Sequence, residues 1–143
     1  MIKKILVPLP VESAKNGASA TAIAKDIVTA QGAKIILLHV VEEMPPYVSV
    51  HLPAGLRKNA ATAARDDMQA AAKAHGIDDI TDIVVREGNP AADTLDFAND
   101  TGVDMIVISS HDPGFADYLL GSVAARVVRH AHCSALVVRL RTG

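Results

Sequence analysis

Gly121 and Ser122 stand directly before a run in which Val123, Val127, Val128 and Ala131 recur at helical spacing. A helix start leaves backbone N–H groups that no carbonyl of its own helix can take. They lie at the positive end of the macrodipole, so the position suits a phosphate. Gly121 puts no Cβ between backbone and ligand, and Ser122 adds a hydroxyl; the same pair is also an ordinary helix cap. Upstream, Ser110, His111 and Asp112 are the three residue types of a hydrolytic triad. Neighbours on one loop do not line up nucleophile, base and orienting acid, so His111 reads as a loop or phosphate contact rather than a general base. His130 and His132 fall at a helix end, where a protonated imidazole complements the dipole. The single Cys133 excludes an internal disulfide and reads as a small buried hydrophobe. No His, Cys, Asp or Glu cluster has the spacing of a dedicated metal site.

These residues need elements to hold them. Met105 to Ile108 is a short, continuous apolar run, as in a parallel strand covered on both faces, and Leu136 to Val138 returns to strand character after the helix. Strand, loop, helix and strand make a βαβ unit. Its right-handed crossover leaves the loop after the first strand at the carboxyl edge of the sheet, where open α/β sheets take ligands.

The rest of the chain repeats the pattern. Ile2 to Pro8 reads as the first strand, turning at Leu9 to Ser13 into a helix over Ala14 to Ala30 with Ala20, Ile23, Ala24 and Ile27 as its buried stripe and Gly32 past its end. A strand follows at Lys34 to Val41. Glu42 to Gly55, with Pro45, Pro46, Tyr47 and Pro53, is irregular and suits a lid, a ligand edge or a partner contact. Leu56 to His75 is an Ala-rich helix closed by Gly76. Ile83 to Val85 form a third strand, placed nearer an edge by Asp82 and Arg86. Asn89 and Pro90 supply the cap and first-turn proline of a helix to Asp100, with Gly102 beyond. Five strands alternating with four helices predict an α/β fold with a mainly parallel sheet, in one domain over residues 1–143.

Composition narrows the partners. Half the residues are hydrophobic, but with two Phe, two Tyr and no Trp the core must be built from Ala, Val, Ile and Leu. A net charge of −2, with basic residues gathered only at Arg126, Arg129, Arg139 and Arg141, gives no nucleic-acid or anionic-membrane surface. Without a signal-like start or a long apolar span, no membrane insertion is expected and the chain reads as cytoplasmic.

The opening M-I-K-K-I-L-V-P, the run I-I-L-L-H-V-V, E-G-N-P at Glu87 to Pro90, and Y-L-L-G-S followed by V-V-R-H-A-x-C-S-x-L-V-V-R resemble the universal stress protein (UspA) family. Ser110-His111-Asp112-Pro113 resembles the S-H-x-P loop of its small single-domain UspF/UspG-type subgroup. The resemblance implies a Rossmann-like, adenine nucleotide alpha hydrolase-like fold: an open parallel five-stranded sheet of order 3-2-1-4-5 with helices on both faces. It also implies ATP, with or without Mg2+, lying across the switch point between the first and fourth strands. Pro8, Leu9 and Pro10 would border the adenosine and Val40 would face the adenine. Ile108, Ser109, Ser110, His111 and Asp112 would lead into the phosphate loop, and Gly121, Ser122 and Val123 would hold the phosphates. A homodimer through antiparallel pairing of the last strand, Ala135 to Leu140, is implied too, as is tetramer formation in some members. The implied role is a stress-response protein acting as a nucleotide-responsive regulatory dimer, with at most slow ATP hydrolysis.

Three departures from the family pattern bear on that reading. Ser109 and Asp112 stand where the family has the leading glycines of its phosphate loop, the interval from Asp112 to Gly121 is one residue short, and Pro10 stands where an Asp commonly engages the ribose or a metal. A carboxylate at Asp112 would repel phosphates unless a cation intervenes or the side chain turns away. The alternative is an interaction module of the same fold that has lost the nucleotide and works through its dimer surface and the Glu42 to Gly55 stretch.

Overall fold

The computed structural model describes residues 1–9, 14–51, 53–110 and 120–139; Pro10, His111, Asp112 and Leu140 lie outside the described residues. The strands are β1 (Lys4–Pro8), β2 (Lys34–Glu42), β3 (Thr81–Gly88), β4 (Met105–Ser109) and β5 (Ser134–Val138). The helices are α1 (Ala14–Gln31), α2 (Pro46–Ser49), α3 (Ala54–Ala74), α4 (Pro90–Thr101) and α5 (Ser122–His130), with a 3-10 turn at Asp78–Ile80. All neighbouring strands pair in parallel in the order β3-β2-β1-β4-β5.

Apolar residues alternate between the two faces because strand side chains do. Ile5, Val7, Ile35, Leu37, Val107 and Val138 pack with Ala20, Ala24 and Val28 of α1 and Met68 and Ala72 of α3. On the other face Leu6, Ile36, Leu38, Val40, Ile106 and Ile108 meet Phe97 and Ala98 of α4 and Ala124 and Val127 of α5. The four long helices α1, α3, α4 and α5 each present alanine to the sheet, which lets a chain poor in aromatics close its core.

Several boundaries and burials differ from the sequence reading. In α1 the inward stripe runs through Ala20, Thr21, Ala24 and Val28, and Ile23 is 37% exposed. In α5 it runs through Ala124 and Val127, leaving Val128 43% exposed, and Ala131 lies past the helix end. Both shifts place a small residue, Ala24 or Ala124, against the strands and turn a β-branched neighbour outward. β1 starts at Lys4 rather than Ile2. β3 extends through Arg86 and Glu87 to Gly88, because an edge strand tolerates polar residues while its ladder to β2 continues to Glu42 and Gly88. Within the stretch expected to be irregular, α2 forms behind Pro46 and α3 already begins at Ala54.

The α4 start follows the expected chemistry. Asn89 Oδ1 accepts the Ala92 N–H at 3.0 Å, and Asp93 Oδ2 accepts the Asn89 N–H at 2.7 Å, a reciprocal cap. Gly88, at φ 154, leaves the Asp93 carboxylate the space that a Cβ would occupy.

Candidate functional site

The centre of the sheet is closed at one end and open at the other. At the amino end, Ile5 pairs with Met105 and Leu6 with Ile106, and there the β1–β4 ladder stops. β1 nevertheless runs on to Pro8 and β4 to Ser109, each paired to the strand on its outer side. The cause is in the residue type. In a central parallel strand, alternate residues bond to opposite neighbours. Leu9 N–H donates to Leu38 O at 2.8 Å and Lys34 N–H to Lys3 O at 2.9 Å, so the odd residues of β1 serve β2. The even ones face β4, and the even residue at the carboxyl end is Pro8, which has no N–H to give. The unladdered carboxyl ends of β1 and β4 mark the crevice position at which open α/β sheets take ligands.

Across the crevice, the loop after β4 is gathered at its base. Ser110 N–H donates to Val138 O at 2.9 Å, and Gly121 N–H donates to Ser110 O at 3.0 Å, which brings Gly121 back beside the end of β4. Gly121 is buried and has φ −59, an angle open to any residue, so its dihedral does not demand glycine. Gly121, not Ser122, takes the cap position of α5, and among the described residues no side chain caps the helix. The first intrahelical bond is Ala125 N–H to Gly121 O at 2.9 Å, so the N–H groups of Ser122, Val123 and Ala124 precede the helical ladder. Ser109 Oγ is buried with no hydrogen-bond partner among the described residues. A buried hydroxyl left unpaired costs about 1–3 kcal/mol, which marks the end of β4 as chemically incomplete.

The structure thus gathers Pro8, Leu9, Ile108, Ser109, Ser110, Gly121, Ser122 and Val123 at the β1–β4 switch point, with Val40 in the carboxyl half of the adjoining β2. Val40 belongs to the residues of β2 whose main-chain groups face β1, since Glu43 N–H donates to Gly88 O and sets the odd residues toward β3. The sequence reading passed over His39. Its imidazole is buried, 6% exposed, and Nδ1 lies 3.0 Å from Leu9 O. Only the I-I-L-L-H-V-V run signalled it, as one polar residue in a strand otherwise covered on both faces.

Other polar features lie elsewhere. A groove of about 340 Å³, lined by Arg65, Asp78 and Asp82 among others, sits at the amino end of β3, away from the crevice. Among the described residues, no group of three or more His, Cys, Asp or Glu is placed to hold a metal. Cys133 is half-buried beside the α4–α5 core, and burial pushes its thiol pKa up, away from reactivity at neutral pH. No described helix is long and apolar enough to cross a membrane.

This architecture defines an open, parallel α/β protein with a crevice at the topological switch point, where its class takes ligands. The family model for the universal stress protein family matches residues 1–139. Universal stress protein MJ0531 of Methanocaldococcus jannaschii is 31% identical over 97% of this chain and 83% of its own length. The universal stress protein UspA from Lactobacillus plantarum superposes with a TM-score of 0.82 at 24% identity, over 96% of this chain and 98% of its own. A universal stress protein solved in complex with cAMP superposes at 0.73 and 21% identity, over 98% and 99%. The chain belongs to the universal stress protein family.

Proposed function

We propose that this chain, a single domain over residues 1–143, is a stress-response protein that binds ATP in the β1–β4 crevice and acts as a nucleotide-responsive regulatory dimer. The observation that carries the reading is that the carboxyl ends of β1 and β4 share no ladder, opposite a helix start that no side chain caps among the described residues. The chemistry at hand suits an adenine nucleotide. Val40 turns a main-chain N–H and carbonyl toward the carboxyl end of β1, beside the crevice, a donor beside an acceptor, complementary to the ring nitrogen and amino group on one edge of adenine. The same pair mismatches guanine, which reverses both. The Ser122 and Val123 N–H groups suit phosphate oxygens, and Ser109 Oγ gains its missing partner from a ligand oxygen. Pro8 and Leu9 supply an apolar wall. The cAMP complex of a fold relative is in keeping with an adenine ligand. Mg2+ would arrive with the triphosphate. The proposed site also takes in Pro10, His111 and Asp112 of the sequence reading, which lie outside the described residues. The dimer forms by antiparallel pairing along the β5 edge, residues 135–140. Hydrolysis is at most slow.

A second reading has its own support. Met44, Tyr47, Val48, Val50 and Leu56 are all exposed on and around α2, an apolar surface suited to a protein partner. With Pro10 and Asp112 departing from the family's site, the domain would then work as a nucleotide-free interaction module.

A thermal melt of nucleotide-stripped protein with Mg-ATP, and with Mg-GTP as control, separates the two. Ligand at about a hundred times its Kd stabilises by about 2.7 kcal/mol, a rise of several degrees at this length. A rise with ATP alone supports the first reading; no shift at millimolar ATP removes it and favours the second.

A further inference from the structure

We infer that His39 is a positioning residue for the crevice: its ring takes the Leu9 carbonyl and so keeps the Val40 N–H open to a ligand. The argument starts from the ladder. Odd residues of β1 bond to even residues of β2, as Lys34 N–H to Lys3 O and Leu9 N–H to Leu38 O show. Continuing that alternation one step, the Leu9 carbonyl is the natural acceptor for the Val40 N–H. In the structure the His39 ring occupies it instead, Nδ1 to Leu9 O at 3.0 Å, and no backbone acceptor meets the Val40 N–H among the described residues. A carbonyl only accepts, so Nδ1 carries the hydrogen.

The exchange has a structural reason at each end. His39 is buried, so its polar ring requires a partner, and the only one it reaches among the described residues is this carbonyl. Pro10 follows Leu9 and has no N–H, so the Leu9–Pro10 peptide offers an acceptor alone. With its N–H on Leu38 and its carbonyl on His39, Leu9 is tied to β2 at both groups without lengthening the β1–β2 ladder to Val40. The inference rests on the nucleotide reading for its ligand but not for its geometry.

The test compares His39→Leu, which removes the donor, with His39→Asn, whose amide nitrogen stands near the Nδ1 position. In His39→Leu the Leu9 carbonyl relaxes onto Val40, so Val40 amide exchange slows by about tenfold or more and ATP binding weakens by about tenfold, roughly the size of one net hydrogen bond. His39→Asn stays within about threefold of wild type in both. Val40 exchange that is unchanged or faster in His39→Leu overturns the inference, because a merely structural histidine loosens its neighbours rather than protecting one of them. Should His39→Leu fail to fold, nitrogen NMR of the wild-type ring decides: a hydrogen on Nδ1 supports the assignment, and one on Nε2 alone overturns it. A wild-type protein that binds no ATP defeats the nucleotide reading, while the exchange measurement still judges His39.

Discussion

Asp104 Oδ2 accepts the backbone N–H of Lys4 at 3.0 Å, and the same oxygen takes the Lys3 N–H at 2.8 Å. The Asp104 N–H returns a bond to Lys4 O at 2.9 Å, and Lys4 Nζ reaches Thr101 O at 2.9 Å. One aspartate therefore ties the entry of β4 to the entry of β1.

The two amide bonds hold the Asp104 carboxyl below its ordinary pKa, Lys3 contributing most and Lys4 next. A folded-state value lowered below the unfolded one means stability that is present above the unfolded pKa and lost as pH falls through the folded value. Asp104→Ala should therefore melt below wild type at neutral pH, with the gap closing as the pH is taken down through the carboxylate range. A gap independent of pH would assign the effect to packing.

Pro8→Val should restore an N–H facing β4 and extend the central ladder. The gain of one net bond, about 0.5–1.5 kcal/mol, is offset by about 0.4–1 kcal/mol of unfolded-chain entropy released with the proline. The melting temperature should thus change little while ATP binding weakens, by calorimetric titration. Undiminished binding would show that Pro8 does not keep the crevice open.

Gly88→Ala should cost more than about 1 kcal/mol, because the new Cβ meets the Asp93 carboxylate and the backbone sits where side chains are strained. Asn89→Ala should cost about 1 kcal/mol through the lost cap. Urea denaturation reads both, and the double variant should fall short of their sum, since both disturb the same first turn of α4.

Val137→Pro and Val138→Pro should separate the dimer edge from the fold. Ser110 N–H donates to Val138 O, so Val138 serves β4 while Ala135 and Val137 turn their main-chain groups outward. Val137→Pro should yield folded monomers by light scattering, and Val138→Pro should destabilise the domain itself. A dimer unchanged by Val137→Pro would discard this edge as the interface.

The architecture was legible because each strand of the centre is a plain apolar run and each helix is punctuated: Ile35 to Leu38 could only be doubly covered, and Asn89-Pro90 could only open a helix. What escaped depends on neighbours distant in the chain. Helical spacing admits both Ile23 and Val28 to the inner stripe of α1, and only the sheet beneath selects Val28. The outward turn of Val128 was hidden in the same way. Pro8 looks like the end of a strand; that its missing N–H falls on the β4 side follows from ladder parity, which no local pattern carries. His39 meets the carbonyl of Leu9, just past the end of another strand, so its type was visible but its partner was not.

The central ladder joins β1 to β4 only beside the Asp104 clamp, and beyond Leu6 and Ile106 no ladder links the two strands. Mechanically this is a pair of jaws on a fulcrum. Whatever grips both jaws, at Pro8 and at Ser109, loads the hinge at the far end of the same two strands. If the proposed site fills, the amides of Lys3 and Lys4, at the opposite end of β1 from Pro8, are the natural places to read it.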